Sequence, residues 1–134
     1  MIVFWRNNCV IIFMPKELTD IHIYVISEEF SNHIWLIVKR WNYFEKETLG
    51  KQIVRTADSI SANIAEAFGR YHHKDRQKFG YYARGSFEET KSWFRRCYQR
   101  NLTAENQRVI VNSYIKKIGP KLNSFINTFK NPMP

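Results

Sequence analysis

Ile23, Ile26, Phe30, Ile34, Ile37, Trp41 and Phe44 follow one another at steps of three and four residues. Only an α-helix brings side chains at those steps onto one face. A second apolar row, Ile21, Val25, Trp35 and Val38, widens the stripe, while Glu28, Glu29, Asn32, Lys39 and Arg40 fall between. The pattern predicts a long amphipathic helix over residues 18–44, closed by a polar turn at Glu45–Thr48.

Three more segments repeat the pattern. From about Thr48, Ile53, Ala57, Ile60, Ile64 and Ala67 or Phe68 make a buried row, with Gly69 placed as a C-terminal cap. That segment is rich in small residues, which let helix backbones approach closely. Over 74–101, Phe79, Ala83, Ser86, Phe87, Thr90, Phe94 and Cys97 share roughly 100° of arc, opposite Arg84, Glu88, Lys91 and Arg95. Gly80 and Gly85 inside this helix cost about 1 kcal/mol each relative to Ala, so each predicts close contact with a neighbouring helix or another subunit. Thr103 is placed to cap a fourth helix with the seam Ile110, Tyr114, Ile118, Leu122, Phe125 and Phe129; Gly119-Pro120 predicts a kink or restart within it. The fold class expected is all-α, an antiparallel up-down-up-down four-helix bundle. It occupies 18–130, between an extension at 1–17 and a tail at 131–134.

The apolar run Cys9–Met14 is too short for a signal peptide or a membrane span, and Met14-Pro15-Lys16 reads like a natural start. Residues 1–13 are therefore either an upstream extension or a frayed or sheet-like tail on the bundle. Two cysteines build no disulfide framework and suit a reducing compartment, so the cytoplasm is the expected location, with no membrane partner.

The formal charge is +9, and it is unevenly placed. Residues 1–66 carry 7 basic and 8 acidic side chains, whereas 67–134 carry 14 and 4. Tyr71, Tyr81, Tyr82, Trp93 and Tyr98 are interleaved with the basic excess. Cations for phosphates and rings for stacking are a footprint of nucleic-acid binding, and Arg70, Lys74, Arg84, Lys91, Arg95 and Arg96 are the candidate residues. The alternative is a structural oligomer or protein–protein adaptor, in which the charge confers solubility and the aromatics are core or subunit contacts.

Chemistry is poorly served. His72, His73 and Asp75 lack the spacing of a metal site, and the nearest approach to the Glu-x-x-His pairs of a di-iron bundle is Glu29 with His33, spaced i,i+4 and occurring once. Cys97 lies on the apolar face, and no phosphate-cradling glycine loop is present. No catalytic residue, cofactor or metal is expected, and the chain is read as a non-enzyme.

The run GKQIVRTADSISANIAEAFGRYHHKD, followed by FGYYARGSFEETKSW, resembles a family of four-helix bundles called intervening-sequence or S23-like proteins. The similarity spans about Phe30 to Phe129 and is densest over Gly50–Trp93. It is carried by Arg55, Asp58, Ser59, Asn63 and Glu66, and by the pairs Gly69-Arg70 and Gly85-Ser86, which the resemblance marks as interface or structural residues. Ala67 stands where the family usually has Gly. Members are encoded within insertions in large-subunit ribosomal RNA genes or stand alone in bacterial genomes. The resemblance implies a homo-oligomer, commonly a pentamer, of largely unassigned role. A related bundle, the accessory variability protein of diversity-generating retroelements, associates with a reverse transcriptase and RNA, so RNA or a nucleic-acid-associated protein is the partner it suggests.

Overall fold

The computed structural model describes residues 2–5, 8–11 and 17–130. Ile2–Trp5 (β1) pairs antiparallel with Asn8–Ile11 (β2), Ile2 opposite Ile11. A 3-10 turn, Leu18–Asp20, then leads into α1 (His22–Lys39). The remaining long helices are α2 (Lys51–Gly69), α3 (His73–Gln99) and α4 (Glu105–Asn127). α1 packs on α2, α2 on α3, α3 on α4 and α4 back on α1, with the most extensive contact between α2 and α3. That closed square, joined by short connections, is the four-helix arrangement the periodicity predicts. The tail 131–134 lies outside the described residues.

The core is made by Phe30 and Ile34 of α1, Ile53, Ile60 and Ile64 of α2, Ala83 and Cys97 of α3, and Val111, Ile118, Leu122 and Ile126 of α4. The predicted α2 row, Ile53, Ala57, Ile60, Ile64 and Ala67, is buried throughout, with Thr56 added to it. The seam of α4 holds at Ile118 and Leu122 and shifts at its ends: Val111 is fully buried while Ile110 is 41% exposed, and Ile126 is buried beside the half-buried Phe125. Tyr114 and Phe125 are half-buried against the core.

Helix boundaries depart from the sequence pattern where caps decide them. The spacing continues through Trp41 and Phe44, yet α1 stops at Lys39. Asn42 begins the next helix by accepting from the Glu45 N–H (2.9 Å), while the Glu45 carboxylate accepts from the Asn42 N–H (3.2 Å). Phe44 is therefore outside α1 and 73% exposed. A helical turn at Tyr43–Glu45 and a π-helical turn at Lys46–Gly50 carry the chain into α2. There Gly50 lies so close to α1 that a Cβ would stand 2.8 Å from the Val38 Cγ1.

Gly69 is not a left-handed cap, since no described glycine has positive φ. α2 instead exits through Arg70 in extended backbone, which suits the short connection to α3. The left-handed residue is Asn101 (φ 57°) after α3, where the Leu102 N–H donates to the Cys97 carbonyl at 2.9 Å. Thr103 is also displaced as a cap. Ala104 takes that position, its N–H donating to the Gln107 Oε1 (2.8 Å), and the buried Thr103 hydroxyl accepts from the Arg108 Nε (3.2 Å). Pro120 sits inside α4, which runs through without the predicted restart.

Candidate nucleic-acid interface

The charge asymmetry of the sequence becomes a difference between helices. α1 carries one basic and two acidic residues, and α2 carries two of each. α3 carries seven basic and three acidic, and α4 four basic and one acidic. α3 and α4 pack on each other, so the two most basic helices are neighbours in the bundle.

The six candidate cations do not all converge. Lys91 and Arg95 line an open groove of ≈310 Å³ between α3 and α4, with Tyr98, Asn112 and Ile115. Arg84 falls on the same helical stripe, within about 40° of both. Arg96, one residue on from Arg95, points roughly 100° away and stacks on Trp93 at 5.1 Å. Lys74 lies in the first turn of α3, about 30 Å along the axis from Arg95. Arg70 is held at the corner between α2 and α3, ion-paired with Glu66 and 4.7 Å from the Phe79 ring centroid.

α4 supplies what the sequence reading left out. A second open groove of ≈550 Å³ is lined by Val109, Asn112, Ser113, Lys116 and Lys117, and it meets the first at Asn112. Arg108 lies 3.9 Å from the Tyr98 ring centroid, capping the end of the same face. The two linings hold Lys91, Arg95, Lys116 and Lys117, and no carboxylate. The readable signal was the four-to-one basic excess of residues 105–127.

Among the described residues, Lys91 is ion-paired with Glu88 (2.9 Å) and Arg108 with Glu105 (3.6 Å), whereas Arg84, Arg95, Lys116 and Lys117 have no carboxylate within ion-pair distance. Tyr71, Tyr81, Tyr82 and Tyr98 are exposed, and Trp93 is half-buried. Most of these rings already carry a cation: Arg84 on Tyr81 (4.9 Å), Lys78 on Tyr82 (6.0 Å) and Arg108 on Tyr98. Such stacking holds the cation heads over the surface and leaves their other donors free for phosphate.

The motif residues between α2 and α3 are mostly structural in their contacts. The Asn63 Nδ2 donates to the Ser59 carbonyl (2.9 Å) and approaches the Ser86 Oγ (3.5 Å), so it links the two helices. The Ser59 hydroxyl donates back to the Arg55 carbonyl (2.8 Å). Asp58 faces α1: burial raises its carboxyl above the usual range, and a hydrogen bond with Ser31 pulls the other way. Gly80 is pressed by α4, a Cβ there standing 2.9 Å from the Ile126 Cγ1. Around Gly85 a Cβ would meet nothing within 4 Å.

Cys97 is buried, and burial pushes its thiol up to about 12. It is a packing residue and a poor nucleophile. Among the described residues no three His, Cys, Asp or Glu side chains are grouped to hold a metal, and no helix is long and apolar enough to cross a membrane.

Residues 19–124 match the family model described as 23S rRNA-intervening sequence protein. The chain belongs to that family. A solved structure from Bacteroides thetaiotaomicron VPI-5482, described as a protein of unknown function from the S23 ribosomal protein family, is 28% identical. Its TM-score is 0.72, and the match covers 79% of this chain and 96% of that one. No curated protein matches. The matched span takes in α1 to α3 and nearly all of α4, and stops short of the final residues of α4.

Proposed function

We propose that this chain is a non-enzymatic bundle that binds structured RNA, or a ribonucleoprotein, through the joined faces of α3 and α4, and that it works as a homo-oligomer. The observation that carries the reading is the pair of adjoining grooves that hold Lys91, Arg95, Lys116 and Lys117 without a carboxylate. Phosphates neutralised there release counterions, so affinity should fall steeply with salt.

The test is fluorescence anisotropy of the purified protein on a structured RNA and a matched DNA duplex across a salt series. Binding that weakens steeply with salt, with one RNA preferred, is the expected outcome. Charge reversal at Arg84, Lys91 and Arg95 together should abolish binding while the circular dichroism spectrum is unchanged; all three are solvent-accessible. Unchanged binding by that variant overturns the assignment.

A second reading, a structural oligomer or adaptor without nucleic acid, is favoured by Gly85, whose missing side chain serves no contact within the subunit. Sedimentation equilibrium bears on both readings. A pentamer is the mass the family resemblance implies, and a monomer would remove the oligomer from either.

A further inference from the structure

A third groove, of ≈450 Å³, opens where the last turn of α1 meets the first turns of α4. Leu36, Ile37 and Ile110 give it an aliphatic lining, and Lys39 and Arg40 stand at its α1 side. The side chains of Asn106 and Gln107 close the α4 side. Leu36 is 55% and Ile110 41% exposed, so apolar surface is left facing water. No carboxylate lines the groove, and among the described residues none pairs with Lys39 or Arg40. The Lys39 ammonium rests over Trp35, itself half exposed, at 5.0 Å.

This groove differs in kind from the α3–α4 face. There the lining is polar and cationic. Here an aliphatic lining lies beside two unpaired cations, and the one ring in the lining is the half-buried His33 imidazole. The lining offers an aliphatic side chain both burial and a flanking charge, and the half-exposed Trp35 ring beside it is already covered by Lys39.

We infer that this end of the bundle is a docking site for an acidic, amphipathic segment of a protein partner. One aliphatic side chain of the partner lies against Leu36, Ile37 and Ile110, and its neighbouring carboxylates meet Lys39 and Arg40. The apolar contact supplies the anchor, and the charge-assisted hydrogen bonds select acidic sequences over neutral ones. The site is independent of the RNA reading, because it uses a different groove and different cations.

The test uses the full chain and a short fluorescein-labelled peptide in which glutamates flank a Leu-Leu pair. Two twins accompany it, one with Gln for each Glu and one with Ser for each Leu. Saturable binding is expected, weakened about tenfold in either twin and about tenfold by Arg40→Glu or Ile110→Ser, but not by Arg95→Glu. Both substituted positions are exposed, and circular dichroism checks that the variants fold. Failure to saturate, or equal binding of all three peptides, overturns the inference. A fall in native mass with Ile110→Ser would make the groove a contact between copies of this chain. Weakening of RNA binding by Arg40→Glu as large as by Arg95→Glu would assign it to the nucleic-acid face. Either result also overturns the inference.

Discussion

Two glycines lie five residues apart in α3, carry the same intrinsic penalty, and are there for different reasons. Gly80 faces α4, where Ile126 occupies the space that a side chain would need. Gly85 faces outward and is exposed, with nothing near its missing Cβ. Both cost about 1 kcal/mol of helix propensity relative to Ala. At Gly80 close packing of α3 on α4 offsets that cost within the subunit. At Gly85 no contact of the same chain does so, and the proposed oligomer is where an offset would be found. Identical residues on one helix thus separate what builds the bundle from what the bundle presents.

The largest effect is expected at the inner glycine. Gly80→Val should destabilise the fold by about 1–3 kcal/mol in urea titration, because the added methyls must displace Ile126 from a filled core. Pairing it with Ile126→Ala should recover part of that loss, and strict additivity would break the steric account. Gly85→Ala is expected to go the other way, stabilising the isolated subunit by about 1 kcal/mol. The same variant should lower the native mass in sedimentation if a second copy packs on that face. A stable, unaltered oligomer would leave Gly85 without a role.

A pH series separates the glycine effects from a background that both variants share. Burial holds the His33 imidazole below its ordinary value, and its Nε2 has no hydrogen-bond partner. The unfolded chain therefore binds this proton more readily than the folded one. The contribution of neutral His33 is complete above about pH 6.5 and declines as pH falls from there toward the depressed folded value. His33→Gln should flatten that slope in thermal melts between pH 7.5 and 5.5, equally in wild type, Gly80→Val and Gly85→Ala. A slope that survives the substitution would exclude His33 as its source. The smallest effect is expected from Glu66→Gln, which breaks the exposed pair with Arg70 at the end of α2 and should cost about 0.2–0.5 kcal/mol. A loss above about 1 kcal/mol would break the ranking, since an exposed ion pair would then matter as much as the packing at Gly80.

Much of the bundle was legible in the chain. The row Ile53, Ala57, Ile60, Ile64, Ala67 is buried as its spacing demands, because helical periodicity is a local property. The early stop of α1 was less legible, since Asn42 and Glu45 close a capping box inside an apolar pattern that otherwise continues. The seam of α4 was read correctly at Ile118 and Leu122 and missed at its two ends, where Val111 and Ile126 are buried in place of Ile110 and Phe125. Ile110 and Val111 are both aliphatic, and only packing against α1 and α3 chooses between them.

The sequence by itself determined the helix count, the all-α class, the family and the concentration of basic charge in its second half, because each follows from spacing, composition or a run of adjacent residues. The tertiary structure decided which cations share a groove, which glycine is pressed by a neighbour and which apolar side chains stay in water. Those depend on the rotation of each helix about its own axis, and that angle is set by how four stripes pack together rather than by any one of them.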